Sequence, residues 1–217
     1  MRILIASSKG GVGKSTLAVN LAASLSKRGA VIIVDADPQG SAGKWAGQAE
    51  GSPLVPVVAS GPRTTESAIE SLHERYDFVV VDSGGFDSCA MREAAAVADV
   101  MLVPTRATQS DVWELGDSMA NIIAKAQPVN PALRVATVVN CAPTHYRNSD
   151  SDDVARALKG SPFEVLPVAI KDRKSWRHSL GSGASVAQTP DRKAQSELEQ
   201  LTEEVLNGFQ ASFKQVA

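Results

Sequence analysis

The sequence predicts a three-layer α/β domain in which a mostly parallel, twisted sheet carries helices on both faces. Short runs rich in Val and Ile alternate along the chain with longer segments of mixed polarity. Because these runs are apolar along their whole length, the strands are expected to be buried on both faces, as in a parallel sheet. Of the 217 residues, 43% are hydrophobic, which is enough to bury a sizeable core.

The elements follow from the ends of these runs, which are marked by Gly, Pro, Asp or Asn. Strands are predicted at Arg2–Ala6, Val31–Val34, Leu54–Ala59, Phe78–Val81, Val100–Val103, Arg134–Val139 and Phe163–Val168. Helices are predicted at 15–28, 63–75, 88–98, 110–126, 150–159 and from about Asp191 to Phe213. Exposed loops are predicted at 143–153 and 178–190. No internal repeat or long linker interrupts the pattern, so residues 1–217 are interpreted as a single domain.

Composition and charge narrow the classes of function. The formal net charge of −2 predicts no overall attraction to nucleic acid, so any such binding needs a local patch. Two cysteines, Cys89 and Cys141, give no disulfide framework, and the N-terminus carries no secretory signal. The apolar runs have the length of strands, which predicts no membrane span. A cytoplasmic protein is therefore expected.

The segment KGGVGKST, residues 9–16, lies between the first predicted strand and the first predicted helix. It matches the end of the phosphate-loop pattern G-x-x-x-x-G-K-[ST], although Ser8 stands where the first glycine is expected. Gly10, Gly11 and Gly13 allow backbone N–H groups to turn toward phosphate oxygens. The positive end of the following helix adds to this attraction. This context predicts a site for the phosphates of a nucleotide.

The side chains of the same segment predict the chemistry of the ligand. Lys14 is expected to reach the β- and γ-phosphates, Ser15 to offer its hydroxyl to Mg²⁺, and Thr16 to bond the α-phosphate. The predicted nucleotide-binding residues are Gly10, Gly11, Val12, Gly13, Lys14, Ser15 and Thr16. The alternative is a glycine turn that binds nothing.

Three carboxylates follow two of the predicted strands. Asp35 and Asp37 lie near the end of VIIVDADPQG, and Asp82 ends the strand in YDFVVVDSGG. Because ligands of a doubly wound sheet sit beyond the carboxyl ends of its strands, these carboxylates are expected to converge near Ser15 and its metal. Asp82 fits the role of holding Mg²⁺ through water. The alternative for each aspartate is a helix cap or a turn former.

Together, KGGVGKST, VDADPQG and FVVVDSGG resemble, in order and spacing, the ParA/MinD family of deviant-Walker-A ATPases, which have a P-loop NTPase fold. Fainter matches at 98–115 and 183–206 extend the resemblance over nearly the whole chain. DPQG favours the ParA branch. The first strand begins at Arg2, so the N-terminal helix-turn-helix domain of larger ParA proteins is not expected, and the chain looks like the small, ParF-like type found on plasmids. DSGG is a departure, because many ParA proteins have D-T-P-P there.

The resemblance implies a mechanism built on ATP, Mg²⁺ and a homodimer. Lys9 matches the family's signature lysine, which crosses the dimer interface to the partner subunit's nucleotide. Two ATP molecules would then be sandwiched between two subunits. The resemblance implies catalytic roles for Lys9, Lys14 and Asp37, with Asp37 positioning the attacking water.

The resemblance also completes the expected metal and base sites. The implied metal residues are Ser15, Asp35 and Asp82, with Asp35 in the outer shell of the ion. Asn140 follows the strand in VVNCAP and matches the position at which many relatives place an asparagine against adenine. The alternative for Asn140 is an ordinary turn at the end of a strand.

A basic stretch, IKDRKSWRHSLGSG, follows the last predicted strand. Four cations and one acid give it a charge of +3 over residues 171–178. In ParA relatives this region contributes to sequence-independent DNA binding by the ATP dimer. The candidate contacts are Lys171, Arg173, Lys174 and Arg177, and a few such contacts give weak, salt-sensitive affinity. The alternative is a solvated charged loop around a core tryptophan, Trp176.

Two other relationships are less consistent with the sequence. The cysteines invite comparison with Fe-protein cousins, whose dimer holds an iron–sulfur cluster, but the matching context is missing, and both are interpreted as buried small hydrophobes. The final segment, LTEEVLNGFQASFKQVA, is weakly amphipathic, but acids dominate its beginning. This argues against a basic, membrane-binding helix of the MinD kind, so no membrane partner is expected.

The resemblance implies a Mg²⁺-dependent ATPase for DNA partition. Such a protein would form an ATP dimer, bind DNA non-specifically and associate with the nucleoid in the cytoplasm. A ParB-like centromere-binding protein would stimulate hydrolysis and so release the dimer. The alternatives are a ParA-like positioning ATPase for a non-DNA cargo and a MinD-like membrane-associated regulator. All three share the ATP chemistry, so the motifs do not separate them.

Overall fold

The computed structural model describes residues 1–85, 88–144, 150–159 and 163–216. Its strands are β1 (Arg2–Ile5), β2 (Val31–Ala36), β3 (Val57–Ala59), β4 (Phe78–Ser83), β5 (Val100–Thr105), β6 (Arg134–Ala142) and β7 (Glu164–Lys171). Within the described residues they form one sheet in the order β3-β2-β4-β1-β5-β6-β7. Every neighbouring pair is parallel. The predicted fold class is confirmed, and the sheet is parallel throughout.

Helices connect the strands and cover both faces of the sheet. They are α1 (Lys14–Leu25), α2 (Ser41–Gly47), α3 (Thr65–His73), α4 (Cys89–Val97), α5 (Gln109–Glu114), α6 (Ala120–Ala126), α7 (Asp150–Ala157), α8 (Lys174–Ser182) and α9 (Arg192–Val216). A π-helical turn at Leu115–Met119 joins α5 to α6, and a 3₁₀ turn at Val186–Gln188 precedes α9.

The core has two halves, one on each face of the sheet. Successive side chains of a strand point to opposite faces, so Ile3 and Ile5 enter one half while Leu4, between them, enters the other. Helices α1, α2, α8 and α9 cover the first half with, among others, Leu17, Trp45, Trp176 and Leu198. Helices α3, α4, α6 and α7 cover the second with Ile69, Met91, Ile122 and Val154.

The predicted exposed loop at 178–190 is wrong. Its first part belongs to α8, and Ser179, Ser185 and Val186 are buried. The Ser179 hydroxyl and the Val186 backbone N–H can be buried at little cost in free energy because the side chain of Asn20 in α1 bonds both. Its Nδ2 donates to Ser179 Oγ at 2.8 Å, and its Oδ1 accepts from Val186 N at 2.7 Å. Of the other predicted loop, residues 145–149 lie outside the described residues, and Asp150 begins α7.

The sheet register brings the motifs to one edge. Asp82 lies beside Ile5 of β1, which leads into the phosphate loop, and beside Asp35 of β2 on its other side. Because the strands are parallel, their carboxyl ends meet at the same edge. The three segments that carry chemistry in the sequence are therefore neighbours in space.

No helix among the described residues is both long enough and apolar enough to cross a membrane.

Candidate active site

The phosphate loop, residues 8–16, bends where its glycines adopt the left-handed conformation, with φ of 72° at Gly11 and 89° at Gly13. A Cβ atom at Gly13 would also lie 2.3 Å from Nδ2 of Asn140, so both the backbone angle and the space require glycine here. In the part of the chain that is described, no side chain caps the start of α1. Its first N–H groups are thus free to bind an anion.

Lys14 lies at the centre of this loop and is only 7% exposed. Its Nζ donates a hydrogen bond to the backbone carbonyl of Lys9 at 3.2 Å. Burial lowers the pKa of Lys14, while the nearby carboxylates of Asp82 and Asp37 act in the opposite direction. A half-desolvated ammonium beside a glycine loop is suited to binding phosphate oxygens, which would replace the carbonyl as its partner.

Asp82 is fully buried. Among the described residues, neither of its carboxylate oxygens has a hydrogen-bond partner. Its pKa is raised to about 7, chiefly by burial and also by the charges of Asp35 and Asp37, whereas Ser15 and Lys14 act in the opposite direction. An orphaned buried carboxylate next to a serine hydroxyl fits a site for a hydrated cation such as Mg²⁺.

A cation at this position would depend on more than carboxylates. The described residues contain no cluster of three or more His, Cys, Asp or Glu side chains arranged to hold a metal ion. Mg²⁺ in nucleotide sites is normally held by one or two carboxylates together with waters and phosphate oxygens. The donor set of Ser15 and Asp82 therefore fits Mg²⁺ that arrives with a nucleotide.

Asp35 and Asp37 make different contacts. Asp35 Oδ2 accepts from the backbone N–H of Gly43 at 2.8 Å, and its Oδ1 accepts from Asp37 N at 3.3 Å. These bonds fix the start of α2, and burial raises the pKa of Asp35 despite them. Asp37 Oδ1 accepts from Gln39 N at 2.9 Å, and Asp37 lines a cavity in front of the loop.

That cavity has a volume of about 560 Å³, within the range typical of small-molecule sites. Its lining includes seven of the residues predicted from the sequence, namely Gly10, Gly11, Gly13, Lys14, Ser15, Thr16 and Asp37. The lining residues that sequence reasoning missed are Pro38, Gln39, Ser41, Gly84, Gly85, Ser88 and Leu180. Most of these directly follow β2 and β4, and their place beyond a strand end was the signal that could have identified them.

Lys9 does not face this cavity in the isolated chain. Its ammonium pairs with the carboxylate of Asp111 in α5, and it lies 3.3 Å from Ser110 Oγ. Asp111 is buried and accepts from Thr108 Oγ1 at 2.6 Å, while the Lys9 side chain is 41% exposed. The lysine is thus held along its own subunit, and it has to leave Asp111 before it can reach any other partner.

Two side chains from outside the loop bond its backbone. Asn140 Nδ2 donates to the carbonyl of Val12 at 2.6 Å. Arg106, in the segment after β5, donates from Nη2 to the carbonyl of Gly11, also at 2.6 Å. Asn140 was predicted as a site residue for a different reason, contact with adenine. Arg106 was not predicted, because it lies 95 positions from its partner and the fainter match at 98–115, which contains it, implied no role for it.

Comparison with known proteins identifies the family. Residues 3–186 match the family described as the CobQ/CobB/MinD/ParA nucleotide binding domain. The chain belongs to this family.

Two relatives of this ParA/MinD domain are carboxysome distribution proteins. The chain is 30% identical to maintenance of carboxysome distribution protein A of Halothiobacillus neapolitanus over 209 residues, which cover 94% of this chain and 95% of that protein. It is 39% identical to the protein of the same name from Gloeobacter kilaueensis, again over 209 residues, or 94% and 93% of the two chains.

Solved structures support the same fold. Apo McdA of Cyanothece superposes with a TM-score of 0.79 at 17% identity, covering 94% of this chain and 98% of that one. The MinD protein of Pyrococcus horikoshii, complexed with Mg-ADP, gives a TM-score of 0.75 at 18% identity, covering 94% and 95%. At such identities these structures support the fold alone.

The basic stretch of this ParA/MinD domain is partly neutralised by Glu197 of α9 and by its own Asp172. Arg173 Nε donates to Glu197 Oε1 of α9 at 2.7 Å, with side-chain exposures of only 19% and 12%. Trp176 Nε1 donates to the other oxygen of Glu197 at 3.0 Å. Arg177 pairs with Asp172. Of the four predicted DNA contacts, Lys174 and Arg177 are exposed, whereas Lys171 and Arg173 are half-buried.

The interpretation of both cysteines as buried hydrophobes is wrong for Cys89. It is exposed at the start of α4, and its Sγ donates to Glu93 Oε1 at 3.1 Å. The same carboxylate accepts from the backbone N–H groups of Arg63 and Thr65 at 2.6 and 3.0 Å, so it caps α3 from another helix. Cys141 is half-buried.

Proposed function

We propose that this chain is a Mg²⁺-dependent ATPase that positions a non-DNA cargo, such as a protein compartment of the carboxysome type. The observation that carries the proposal is the similarity to two carboxysome distribution proteins over 94% of the chain. DNA partition, the main expectation from the sequence, rests on motifs that positioning ATPases share, so the full-length similarity favours the non-DNA cargo.

Within this proposal, the loop and α1 bind ATP. The loop amides and Lys14 neutralise the β- and γ-phosphates, and Thr16 bonds the α-phosphate. Ser15 and Asp82 hold Mg²⁺, which supplies charge neutralisation for the departing phosphate. The buried carboxylate of Asp82, which has no hydrogen-bond partner among the described residues, supports this role. Asp35, beside Asp82 in the sheet, acts from the outer shell while it anchors α2.

Asp37 orients the attacking water. It follows β2, lines the cavity, and is held by its bond to Gln39 N. Its carboxylate is therefore oriented, but unlike that of Asp35 it does not bond the backbone of α2. A positioned carboxylate of this kind contributes roughly 10²–10⁴-fold to a hydrolysis rate. Asn140 contacts adenine with the part of its amide that the Val12 carbonyl leaves free.

Lys9 couples ATP to dimerisation. In the homodimer it leaves Asp111, crosses to the nucleotide of the partner subunit and offsets part of the repulsion between two ATP–Mg groups. Because ATP would bind the dimer best, it shifts the equilibrium from monomer to dimer, and hydrolysis reverses the shift. A cargo-bound partner takes the place expected for a ParB-like protein and stimulates that hydrolysis.

The dimer binds the nucleoid through weak, non-specific DNA contacts. Lys174 and Arg177 are the main candidates, since both are exposed. Lys171 and Arg173 contribute less, because Arg173 is engaged with Glu197. Few phosphate contacts per subunit predict binding that falls steeply with salt.

The proposal is tested in cells of the source organism from which the gene has been deleted. Fluorescence microscopy follows the spacing of protein compartments, and colony assays follow the inheritance of replicons. We expect clustered or unevenly inherited compartments with normal replicon inheritance. Loss of a replicon with evenly spaced compartments would overturn the proposal and support DNA partition instead. The Asp37→Ala gene, reintroduced, should fail to restore spacing although its product accumulates normally.

A further inference from the structure

The loop is not held by its own residues alone, and Arg106 has no part in the roles above. We propose that Arg106 is a positioning residue of the phosphate loop, which aims the loop's N–H groups at the ligand by bonding a carbonyl on its outer side. The inference rests on the proposed function only in requiring that a nucleotide binds this loop.

Side chains bond two consecutive carbonyls of the loop from outside. Arg106 Nη2 donates to the carbonyl of Gly11 and Asn140 Nδ2 to that of Val12, each at 2.6 Å. Neither Arg106 nor Asn140 lines the 560 Å³ cavity. Both can therefore keep their bonds to the loop while phosphate groups occupy the cavity on the other side.

The planarity of the peptide bond turns these contacts into control of the amides. In a trans peptide the C=O and the following N–H point in opposite directions. Fixing the carbonyl of Gly11 fixes the direction of the Val12 N–H, and fixing the carbonyl of Val12 does the same for the Gly13 N–H. Arg106 and Asn140 thus aim two successive donors away from themselves and toward the cavity side of the loop.

The loop needs such support because its glycines are permissive. Gly11 and Gly13 are in the left-handed region, and glycine reaches many other conformations as easily. Lys14 also bonds a loop carbonyl, that of Lys9, but its ammonium is the group expected to move to phosphate. The contacts from Arg106 and Asn140 involve no group that the phosphates have to recruit.

The surroundings of Arg106 also fit a positioning role. Cys141, directly after Asn140, has φ of 55°, which is uncommon for a residue with a Cβ. Burial raises the pKa of Cys141, and the neighbouring Arg106 guanidinium opposes this. Arg106 therefore lies between the loop and the end of β6, where it ties the loop to the same strand end that carries Asn140.

A role through the loop predicts which ligands are affected. ADP and ATP both place their β-phosphate in the loop, so loss of Arg106 should weaken both equally. The size of the effect follows from one charge-assisted hydrogen bond at an exposed position, or roughly tenfold in dissociation constant.

The experiment measures the binding of MgADP and of a non-hydrolysable MgATP analogue, each with a fluorescent ribose label, to the full-length chain. The variants are Arg106→Gln, Arg106→Lys and, as a matched control, Arg75→Gln, which removes one exposed cation at the end of α3. We expect Arg106→Gln to bind both nucleotides roughly tenfold more weakly, with an unchanged thermal midpoint of the ligand-free chain. Arg106→Lys should recover part of the loss, and Arg75→Gln should match the wild type.

Each other outcome overturns the inference. Wild-type affinity in Arg106→Gln would show that the contact does not position the loop. Loss confined to the ATP analogue would make Arg106 a direct contact of the γ-phosphate. A lowered thermal midpoint in the absence of ligand would make it a residue of the fold. If the wild type bound neither nucleotide, the proposed function would fall as well, which separates the two failures.

A double-mutant cycle with Asn140→Ala provides a second measurement. If both side chains act on the same loop, their combined loss in affinity should be smaller than the sum of the separate losses, because a loop already released has less order to lose. Strict additivity would mean that the two residues act independently, and it would contradict a shared clamp.

Discussion

The phosphate loop and the basic stretch after β7 carry similar sequence signals, because both place cations beside glycines at the end of a strand. In the fold they differ. Lys14 points into a cavity beside Asp82, whose oxygens have no hydrogen-bond partner within the described chain. Arg173 is paired with Glu197, and Arg177 with Asp172. The loop keeps Lys14 available for a ligand and pairs Lys9 with Asp111, whereas the basic stretch uses two of its cations within the fold.

The difference teaches that local charge in a sequence does not measure available charge. The acid that neutralises Arg173 lies 24 positions away, on a helix whose other face builds the core. By contrast, the carboxylates near Lys14, those of Asp37 and Asp82, form no ion pair with it among the described residues. The charges of these groups are therefore compensated only when a ligand binds. Substitutions in each region test this contrast.

Removing Asp37, the proposed catalytic carboxylate of the first region, should have the largest effect. Asp37→Ala should lower the rate of MgATP hydrolysis by roughly 10²–10⁴-fold and leave the dissociation constant for the nucleotide within a few-fold of the wild type. Steady-state phosphate release and equilibrium binding measure the two quantities. Hydrolysis at the wild-type rate would assign the attacking water to another residue.

Asp82 offers a test in the absence of ligand. Its pKa of about 7, against an ordinary value of 3.8, means that the folded chain retains a proton that the unfolded chain loses. The contribution of Asp82 to stability is therefore complete below pH 3.8 and is lost as the pH rises through about 7. Asp82→Asn should stabilise the metal-free chain by roughly 2–4 kcal/mol above that pH.

Urea unfolding in the presence of a chelator measures this effect across the pH range. The advantage of the asparagine variant should grow between the two pKa values and then level off, while its Mg²⁺-dependent hydrolysis is lost. A variant less stable than the wild type at every pH would show that the carboxylate has a structural partner after all.

In the basic region, Glu197→Gln should be costly for the fold. Glu197 accepts from Arg173, from the indole of Trp176 and from the backbone N–H of Lys171, and the amide can replace only part of this. We expect a loss of about 1–2 kcal/mol in the free energy of unfolding. Lys174→Gln, on the exposed side of α8, is the control and should change it by less than about 0.5 kcal/mol.

Nucleotide affinity should be the same in both of these variants, because neither residue lines the cavity. If Lys174→Gln were the more destabilising change, the contrast between paired and available cations would be reversed.

The smallest effect concerns the pairing of Lys9 with Asp111. Asp111→Asn should weaken the hold on Lys9 and lower the ATP concentration at which dimers form by a few-fold, since the gain is about 0.5–1 kcal/mol for a partly exposed pair. Light scattering during an ATP titration measures this midpoint. A midpoint that moves to higher ATP would mean that Asp111 promotes the dimer.

The sequence predicted well what depends on local pattern. The Val- and Ile-rich runs located the strands, and the rule that ligands gather at strand ends brought Asp35 and Asp82 together, which the register bears out. It missed α2, because SAGKWAG is short and holds two glycines, and α8, because KSWRHSLGS has few apolar positions. Trp45 and Trp176 bury these helices only through contacts with distant elements.

The contacts around the site show the same limit. Arg106 with Gly11, Lys9 with Asp111 and Arg173 with Glu197 join residues that no motif connects. Their pairing depends on strand order, which places β5 beside β1 and lets α9 pack near β7. Spacing along the chain carries no direct information about that order.

The central claim is that ATP bound in the phosphate loop promotes dimerisation through Lys9. Sedimentation velocity of the Asp37→Ala chain, in which the nucleotide persists, tests it most directly, with MgATP, with MgADP and with the further change Lys9→Ala. We expect a dimer with MgATP and a monomer with MgADP. When Lys9 is replaced, we expect a monomer with either nucleotide, although the nucleotide still binds. A nucleotide-saturated chain that stays monomeric with MgATP, or a Lys9→Ala chain that dimerises as readily, would contradict it.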